Sequence, residues 1–103
     1  MGFFSKARDM YALQKQAKGI KKELKNIHIE AMVDGVTVVV TGEQDVISVA
    51  VEDAVWEKLR GESFGKKKLE ETFVKAVNKA LKKAQELGSA KMKGVWNQLG
   101  VNQ

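Results

Sequence analysis

The sequence predicts an α+β fold in which an N-terminal helix, a three-stranded antiparallel meander and a long C-terminal helix follow one another. Three short segments between residues 27 and 51 alternate apolar residues with other residues, which is the period-two pattern of a pleated strand. The lysine-rich segments on either side repeat apolar residues every three or four positions, as helices do. We therefore interpret residues 1–103 as one domain made of a basic helix (1–26), a sheet (27–51) and a basic helical segment (66–99).

The first helix is predicted from Phe3 to about Lys25, a stretch that contains no proline. One of its faces carries apolar residues at alternating spacings of three and four, which is the heptad pattern of a helix-packing seam. We expect this seam to pack on the sheet or on a second copy of the chain. The seam residues are Met10, Leu13, Ala17, Ile20, Leu24 and Ile27.

The middle of the chain is predicted to form three strands, each with one apolar face. Asp34 and Gly35 make a strong two-residue hairpin turn, because both residue types tolerate the positive φ angles of a type I′ turn. This turn sets Val33 opposite Val36, so the turn and the alternating pattern agree on the register. The predicted strands are Ile27–Val33, Val36–Thr41 and Val46–Val51.

A second turn, over Gly42–Asp45, joins the second strand to the third. Pairing Thr41 with Val46 across this turn sets Val40 opposite Ile47. The residues of one sheet face are then all apolar, and we expect them to be buried. They are Ile27, Ile29, Ala31, Val33, Val36, Val38, Val40, Ile47, Val49 and Val51. The opposite face is mixed, so it is either a partner surface or simply exposed.

Two further helices are predicted after the sheet. Asp53 is placed as the N-cap of a short helix, Ala54–Leu59. The long helix is predicted over 68–87, with Gly88 as its C-terminal cap and a last short helix that begins at Ser89. Small residues in its buried stripe allow close packing on a neighbouring element. The stripe consists of Leu69, Phe73, Ala76, Val77, Ala80, Ala84 and Leu87.

Charge is strongly segregated along the chain. Residues 1–26 carry seven Lys or Arg and two Asp or Glu, and residues 66–103 carry nine and three. Residues 27–65 carry two basic and eight acidic residues. An acidic sheet region between two basic helical regions indicates a polyanionic partner.

The cations of the first helix lie on a face of their own, at spacings that place them in a row. This row extends over roughly 26 Å at 1.5 Å per residue. Only Asp9 and Glu23 supply opposite charge within the helix, so its cations are mostly unpaired there. The row fits either a solvated face or a phosphate-binding surface. We name it the first-helix stripe, and it consists of Arg8, Lys15, Lys18, Lys22 and Lys25.

The long helix carries a second group of cations, which we name the long-helix patch. It consists of Lys75, Lys79, Lys82 and Lys83. The first three of these fall within an arc of about 60° at 3.6 residues per turn. Glu71 and Glu86 flank the patch and are placed to neutralise part of it through pairs at four-residue spacing.

The residues of catalytic and metal sites are scarce. The chain has no cysteine and one histidine, and His28 has Glu30 near it but no nucleophile. Zinc and iron–sulfur motifs are absent from the sequence, and no run is long enough to span a membrane. We expect no enzyme activity, no cofactor, no metal, no small-molecule substrate and no membrane partner.

Several stretches together resemble the YbaB/EbfC family of nucleoid-associated proteins, over roughly residues 5–95. They are Val36-Thr-Val-Val-Val-Thr-Gly42, Val46-Ile-Ser-Val-Ala-Val51, Leu69 with Ala76-Val-Asn78-Lys-Ala80-Leu-Lys82, and Lys91-Met92. The resemblance implies an α-β-β-β-α protein, a tweezer-like homodimer and DNA binding with little or modest sequence preference. It supplies no agreed contact residues, so the candidate contacts are the first-helix stripe and the long-helix patch.

The function expected from the sequence is therefore that of a cytoplasmic, nucleoid-associated homodimer that binds double-stranded DNA. Lysine is a point charge suited to phosphate, and with only Arg8 and Arg60 beside 16 lysines the reading of base edges should be weak. An RNA-binding protein and an interaction module for acidic proteins are the alternatives. Trp56 is expected in the core. Because few aromatic residues are expected to be exposed, the stacking of single-stranded bases on the protein is disfavoured.

Overall fold

A computed structural model describes the backbone of residues 3–98, and the side chains of residues 12, 14–95 and 97. The elements are α1 (Phe3–Lys25), β1 (His28–Val33), β2 (Val36–Thr41), β3 (Val46–Val51), α2 (Asp53–Leu59) and α3 (Gly65–Gln98). The three strands form one antiparallel sheet in the order β1-β2-β3. The predicted α-β-β-β-α order is confirmed, with the short α2 between the sheet and the long helix.

The core lies between α3 and the first two strands. Its fully covered residues are small or β-branched, so the helix backbone can approach the sheet closely. The buried cluster consists of Ala31, Val36, Val38, Val40, Ala76, Ala80 and Ala84. The predicted alanine stripe of the long helix is thus the surface that packs on the sheet.

The hairpin between β1 and β2 has the predicted register. Val33 pairs with Val36, and the pairing continues to His28 opposite Thr41. Asp34 and Gly35 have φ angles of +46° and +83°, the left-handed conformation that a type I′ turn requires. Two turn residues were therefore enough to predict this pairing.

The predicted pairing of Val40 with Ile47 is wrong. Val38 faces Val49 as the pattern indicates, but a β-bulge follows and Val40 pairs with Val46 instead. The extra residue on β3 shifts the end of this ladder by one position, as a bulge does.

The turn between β2 and β3 explains this shift. The backbone N–H of Thr41 donates to the carbonyl of Asp45 at 2.8 Å, so Thr41 faces Asp45 and not Val46. Gln44 takes a φ of +71°, and the N–H groups of Glu43 and Asp45 both donate to the Thr41 hydroxyl at 3.2 Å. The loop therefore has three residues and ends in a left-handed one, a form that carries a bulge.

The third strand does not join the core as predicted. Ile47 and Val49 were expected to be buried, but 47% and 41% of their surfaces are exposed. The reason is the position of α3, which packs on β1 and β2 and leaves most of β3 uncovered. Of β3, Val51 is partly buried against the core cluster.

Two predicted helix ends are wrong. The N-cap of α2 is Glu52, not Asp53, and its side chain makes no capping hydrogen bond. Gly88 does not cap a helix, since α3 runs unbroken through it. Leu24 of α1 lies beside Gly88, with its Cδ1 3.7 Å from where a Cβ would stand. This packing outweighs the helix propensity of glycine, a penalty of about 1 kcal/mol.

The two long helices make the molecule elongated. Its principal extents are 72 × 24 × 14 Å and its radius of gyration is 19.9 Å, whereas a compact 100-residue domain has about 13 Å. None of the described helices has both the length and the apolar character needed to cross a membrane.

Candidate nucleic-acid interface

The first-helix stripe lies on the side of α1 that faces away from its packing seam. Leu24 is buried in the seam, while the described side chains of the stripe, which belong to Lys15, Lys18, Lys22 and Lys25, are all exposed. At 100° per residue the stripe lies roughly 150° around the helix from the seam. Arg8 belongs to α1, but its side chain lies outside the described residues. Four cations of the stripe are thus open to solvent along one face.

Within one chain, the described part of the seam packs on α3 and on the turn that follows β2. Ala17, Ile20 and Leu24 line an open cavity of about 640 Å³, whose other wall includes Ala84 and Met92 of α3. The remaining predicted seam residues, Met10 and Leu13, have side chains outside the described part.

The backbone also attaches the end of α1 to the sheet. The N–H of Gly42, at the end of β2, lies 2.9 Å from the carbonyl oxygen of Leu24 and 3.0 Å from that of Ile27. A Cβ at position 42 would stand 2.7 Å from the Leu24 oxygen, so only glycine fits this approach without displacement. The direction of α1 is therefore set from both the helix side and the sheet side.

An ion pair with α3 compensates the charge of one of the two acidic residues of α1. The Lys91 Nζ of α3 lies 2.7 Å from Glu23 Oε1, and 54% of the Glu23 side chain is exposed. Because Glu23 is compensated by a cation from another helix, the stripe keeps more of its positive potential than α1 alone would give it.

The long-helix patch divides into two pairs of lysines with different surroundings. Lys79 Nζ donates to the carbonyl of Met32 at 3.2 Å, and Lys83 Nζ donates to the carbonyl of Glu30 at 3.3 Å. Lys75 and Lys82 are exposed, and neither side chain donates a hydrogen bond to another described residue. The sequence places all four on one helix, and only the structure separates them.

The two acidic residues that flank this patch do not pair with it. Glu71 and Glu86 were expected to neutralise some of its charge at four-residue spacing. The ion pairs among described residues are Arg60–Glu57, Lys68–Glu62 and Lys91–Glu23, so the patch keeps its charge.

Further exposed cations lie outside both groups. Lys21 lies on α1 between the stripe and the seam, and Lys66 and Lys67 lie in the first turn of α3. Lys93 is exposed near the other end of α3. Lys21 does not share the spacing of three and four residues that defines the first-helix stripe. It is nevertheless one of the seven cations counted in residues 1–26.

Two aromatic side chains are exposed to solvent, and for one of them the prediction was wrong. Trp56 was expected in the core, but 49% of its surface is accessible, and Phe64 is 71% exposed. Trp56 lines a groove between α2 and α3 together with Arg60 and Lys66. The groove also includes Glu62 and Glu70, and Arg60 is paired with Glu57, so an exposed aromatic ring lies here among charges of both signs.

Comparison with known proteins relates the chain to one family by sequence and to solved structures by fold. The profile of the YbaB/EbfC DNA-binding family matches residues 2–99. The fold is similar to that of an uncharacterised Helicobacter pylori protein, HP0035, with a TM-score of 0.68 and 15% sequence identity over 87% of this chain and 91% of that one. No curated protein matches the chain. The matched family is one of DNA-binding proteins and not of enzymes.

Proposed function

Because the chain belongs to the YbaB/EbfC DNA-binding family, we propose that it is a nucleoid-associated protein that holds the phosphate backbone of duplex DNA with lysines of α1 and α3. Family membership implies DNA binding, and the proposal adds how the chain binds. The observation that carries it is the first-helix stripe, whose described cations are all exposed on the face opposite the packing seam.

The chemistry of the stripe favours phosphates over base edges. Lysine offers a compact charge with rotating donors, whereas reading of bases relies on the planar groups of Arg, Asn and Gln. The described members of the stripe are all lysines. Binding should therefore be almost indifferent to DNA sequence, because contacts to phosphate position a protein without reporting the base.

We also propose that the protein acts as a homodimer and that β3 forms the contact. Val46, Ile47 and Val49 are 49%, 47% and 41% exposed on an edge strand that has no charged residue. Uncharged, apolar edge strands readily pair with another strand, and a two-fold axis allows the same strand of a second copy to fill that place. Two elongated α1–α3 arms would then extend from one joined sheet, as in a tweezer-like dimer.

A dimer would present two stripes to one duplex. If about six to eight phosphates are neutralised across the dimer, counterion release gives a slope of log affinity against log salt near −5 to −7. We also infer that the protein lies with chromosomal DNA in the cytoplasm. We treat residues 1–103 as one functional domain, in which the helices bind and the sheet assembles.

The test is a fluorescence anisotropy titration of labelled duplex DNA across a salt series, with two duplexes of unrelated sequence. We expect similar affinity for both duplexes and a slope in the range given above. Strong preference for one duplex, or a slope close to zero, would contradict binding through phosphates.

An RNA or single-strand function is a second candidate, and one observation favours it. Trp56 and Phe64 are exposed, and Trp56 shares its groove with Arg60 and Lys66, although Glu62 and Glu70 also line it. Bases can stack on exposed rings that lie beside cations, at about 1–3 kcal/mol per base. Competition of the labelled duplex with single-stranded RNA, single-stranded DNA and an acidic protein separates the candidates. Displacement by duplex DNA alone supports the primary proposal.

A further inference from the structure

The outer edge of β1 offers unpaired backbone groups. β1 is an edge strand, and in an antiparallel ladder alternate residues direct both N–H and C=O either to the partner strand or away from it. The carbonyls of Glu30 and Met32 accept hydrogen bonds from α3 lysines, so these two residues face away from β2. Such an edge is a template for pairing with another strand.

The spacing of two lysines matches the spacing of these carbonyls. Lys79 and Lys83 are four residues apart on a helix, which is a rise of about 6 Å. Met32 and Glu30 are two residues apart on a strand, a rise of about 6.6 Å. Each lysine therefore reaches one outward carbonyl without distortion of either element, and together they occupy successive acceptors of the edge.

The contacts are selective within the long-helix patch. Lys75 and Lys82 lie on the same helix with the same charge, and neither donates a side-chain hydrogen bond to another described residue. Among the described residues, no lysine side chain donates a hydrogen bond to a backbone carbonyl of β3, the other edge. Protection by lysine is thus confined to one of the two edges of this sheet.

We propose that Lys79 and Lys83 close the β1 edge against a strand of a second copy of this chain, so that β3 is the one edge open to self-association. With both edges open, each copy could pair on two sides and assembly would grow without end. With one edge closed, assembly stops at a pair. The limit to a pair rests on the proposed β3 dimer, whereas the closure of the β1 edge concerns the sheet alone and is independent of DNA binding.

The test compares two double variants by sedimentation velocity in the absence of nucleic acid. Lys79→Ala/Lys83→Ala removes both edge contacts, and Lys75→Ala/Lys82→Ala removes the same charge from the same helix. We expect the first variant to form species of roughly double the wild-type mass or larger, and the second to keep the wild-type size. No enlargement of the first variant, or equal enlargement of both, overturns the proposal. The comparison is made with the wild-type mass, so it remains decisive even if the wild type proves monomeric.

A third change locates the association. Met32→Pro removes an N–H that points away from β2, the position at which an edge strand tolerates proline. Added to Lys79→Ala/Lys83→Ala, it should restore the wild-type size, and persistent enlargement would refute pairing through β1. If the variant with proline fails to fold, hydrogen exchange provides the test instead. In Lys79→Ala/Lys83→Ala the backbone amides of Glu30 and Met32 should exchange more slowly than in the wild type, because a second strand would cover them. Unchanged exchange rates of these amides would also refute it.

Discussion

Lys91 Nζ donates a hydrogen bond of 2.7 Å to Glu23 Oε1 across 68 residues of sequence, and this contact joins the last third of α3 to the end of α1. Leu24, the next residue of α1, packs beside Gly88 of α3. An ion pair and an apolar contact therefore hold the two basic helices to each other near the end of α1.

The first prediction concerns this ion pair. Glu23→Gln should lower the free energy of unfolding by roughly 0.5 kcal/mol, because half-exposed pairs are screened by water and contribute little. Urea denaturation measures the change. Glu70→Gln, which removes an exposed carboxylate without a described ion pair, is the control and should leave stability unchanged. Equal loss in both variants would show that the pair contributes nothing specific.

The second prediction concerns the first-helix stripe. Lys15→Gln/Lys18→Gln/Lys22→Gln should leave the unfolding midpoint nearly unchanged, because Lys and Gln have similar helix propensity. The salt slope for duplex DNA should become shallower by about three per chain that contacts DNA, because each phosphate that loses its lysine keeps its counterion. Salt titrations by anisotropy measure it.

The matched control is a variant that loses three positive charges from a surface outside the first-helix stripe. Lys58→Gln/Lys66→Gln/Lys67→Gln removes three exposed lysines around α2 and the first turn of α3. We expect this variant to lose less affinity and to keep a slope closer to that of the wild type. If both triple variants lose affinity equally, net charge and not the stripe determines binding.

The third prediction tests β3 as the dimer contact. Val49→Lys should convert a species of twice the 11.4 kDa chain mass into a monomer at micromolar concentration, because a charge would be buried without a partner in the joined sheet. Val74→Lys changes an apolar residue of α3 that is 61% exposed, and it should not alter the mass. Sedimentation of both variants and the wild type measures the mass of each. If Val49→Lys remains a dimer, β3 is not the interface.

The fourth prediction concerns the approach of α1 to the sheet. In Gly42→Ala the new methyl group would press on the Leu24 backbone, and we expect a loss of about 1–3 kcal/mol of stability, as overpacking usually causes. Gly19→Ala is the counterpart, because nothing lies within 4 Å of its added Cβ. It should stabilise α1 by about 0.5–1 kcal/mol. Thermal unfolding of the two variants should therefore shift in opposite directions, and a neutral Gly42→Ala would contradict the close approach.

Much of the local structure followed from the sequence because its causes are local. The Asp34-Gly35 turn and the alternation of β1 and β2 act within a few residues, and their register was predicted correctly. The second hairpin failed at Val40, because the length of its loop depends on how Thr41 hydrogen-bonds, which spacing alone does not reveal.

By itself, the sequence determined the order of the elements, the alanine stripe of α3 and the segregation of charge that indicates a polyanionic partner. Only the tertiary structure decided which strands α3 covers, and so left Ile47 and Val49 exposed. It also decided that Lys79 and Lys83 reach the β1 edge while Lys75 and Lys82 remain in solvent. The physical reason is range: turn chemistry and helical periodicity operate over neighbouring residues, whereas these contacts join side chains and backbone about fifty residues apart and depend on how two finished elements pack.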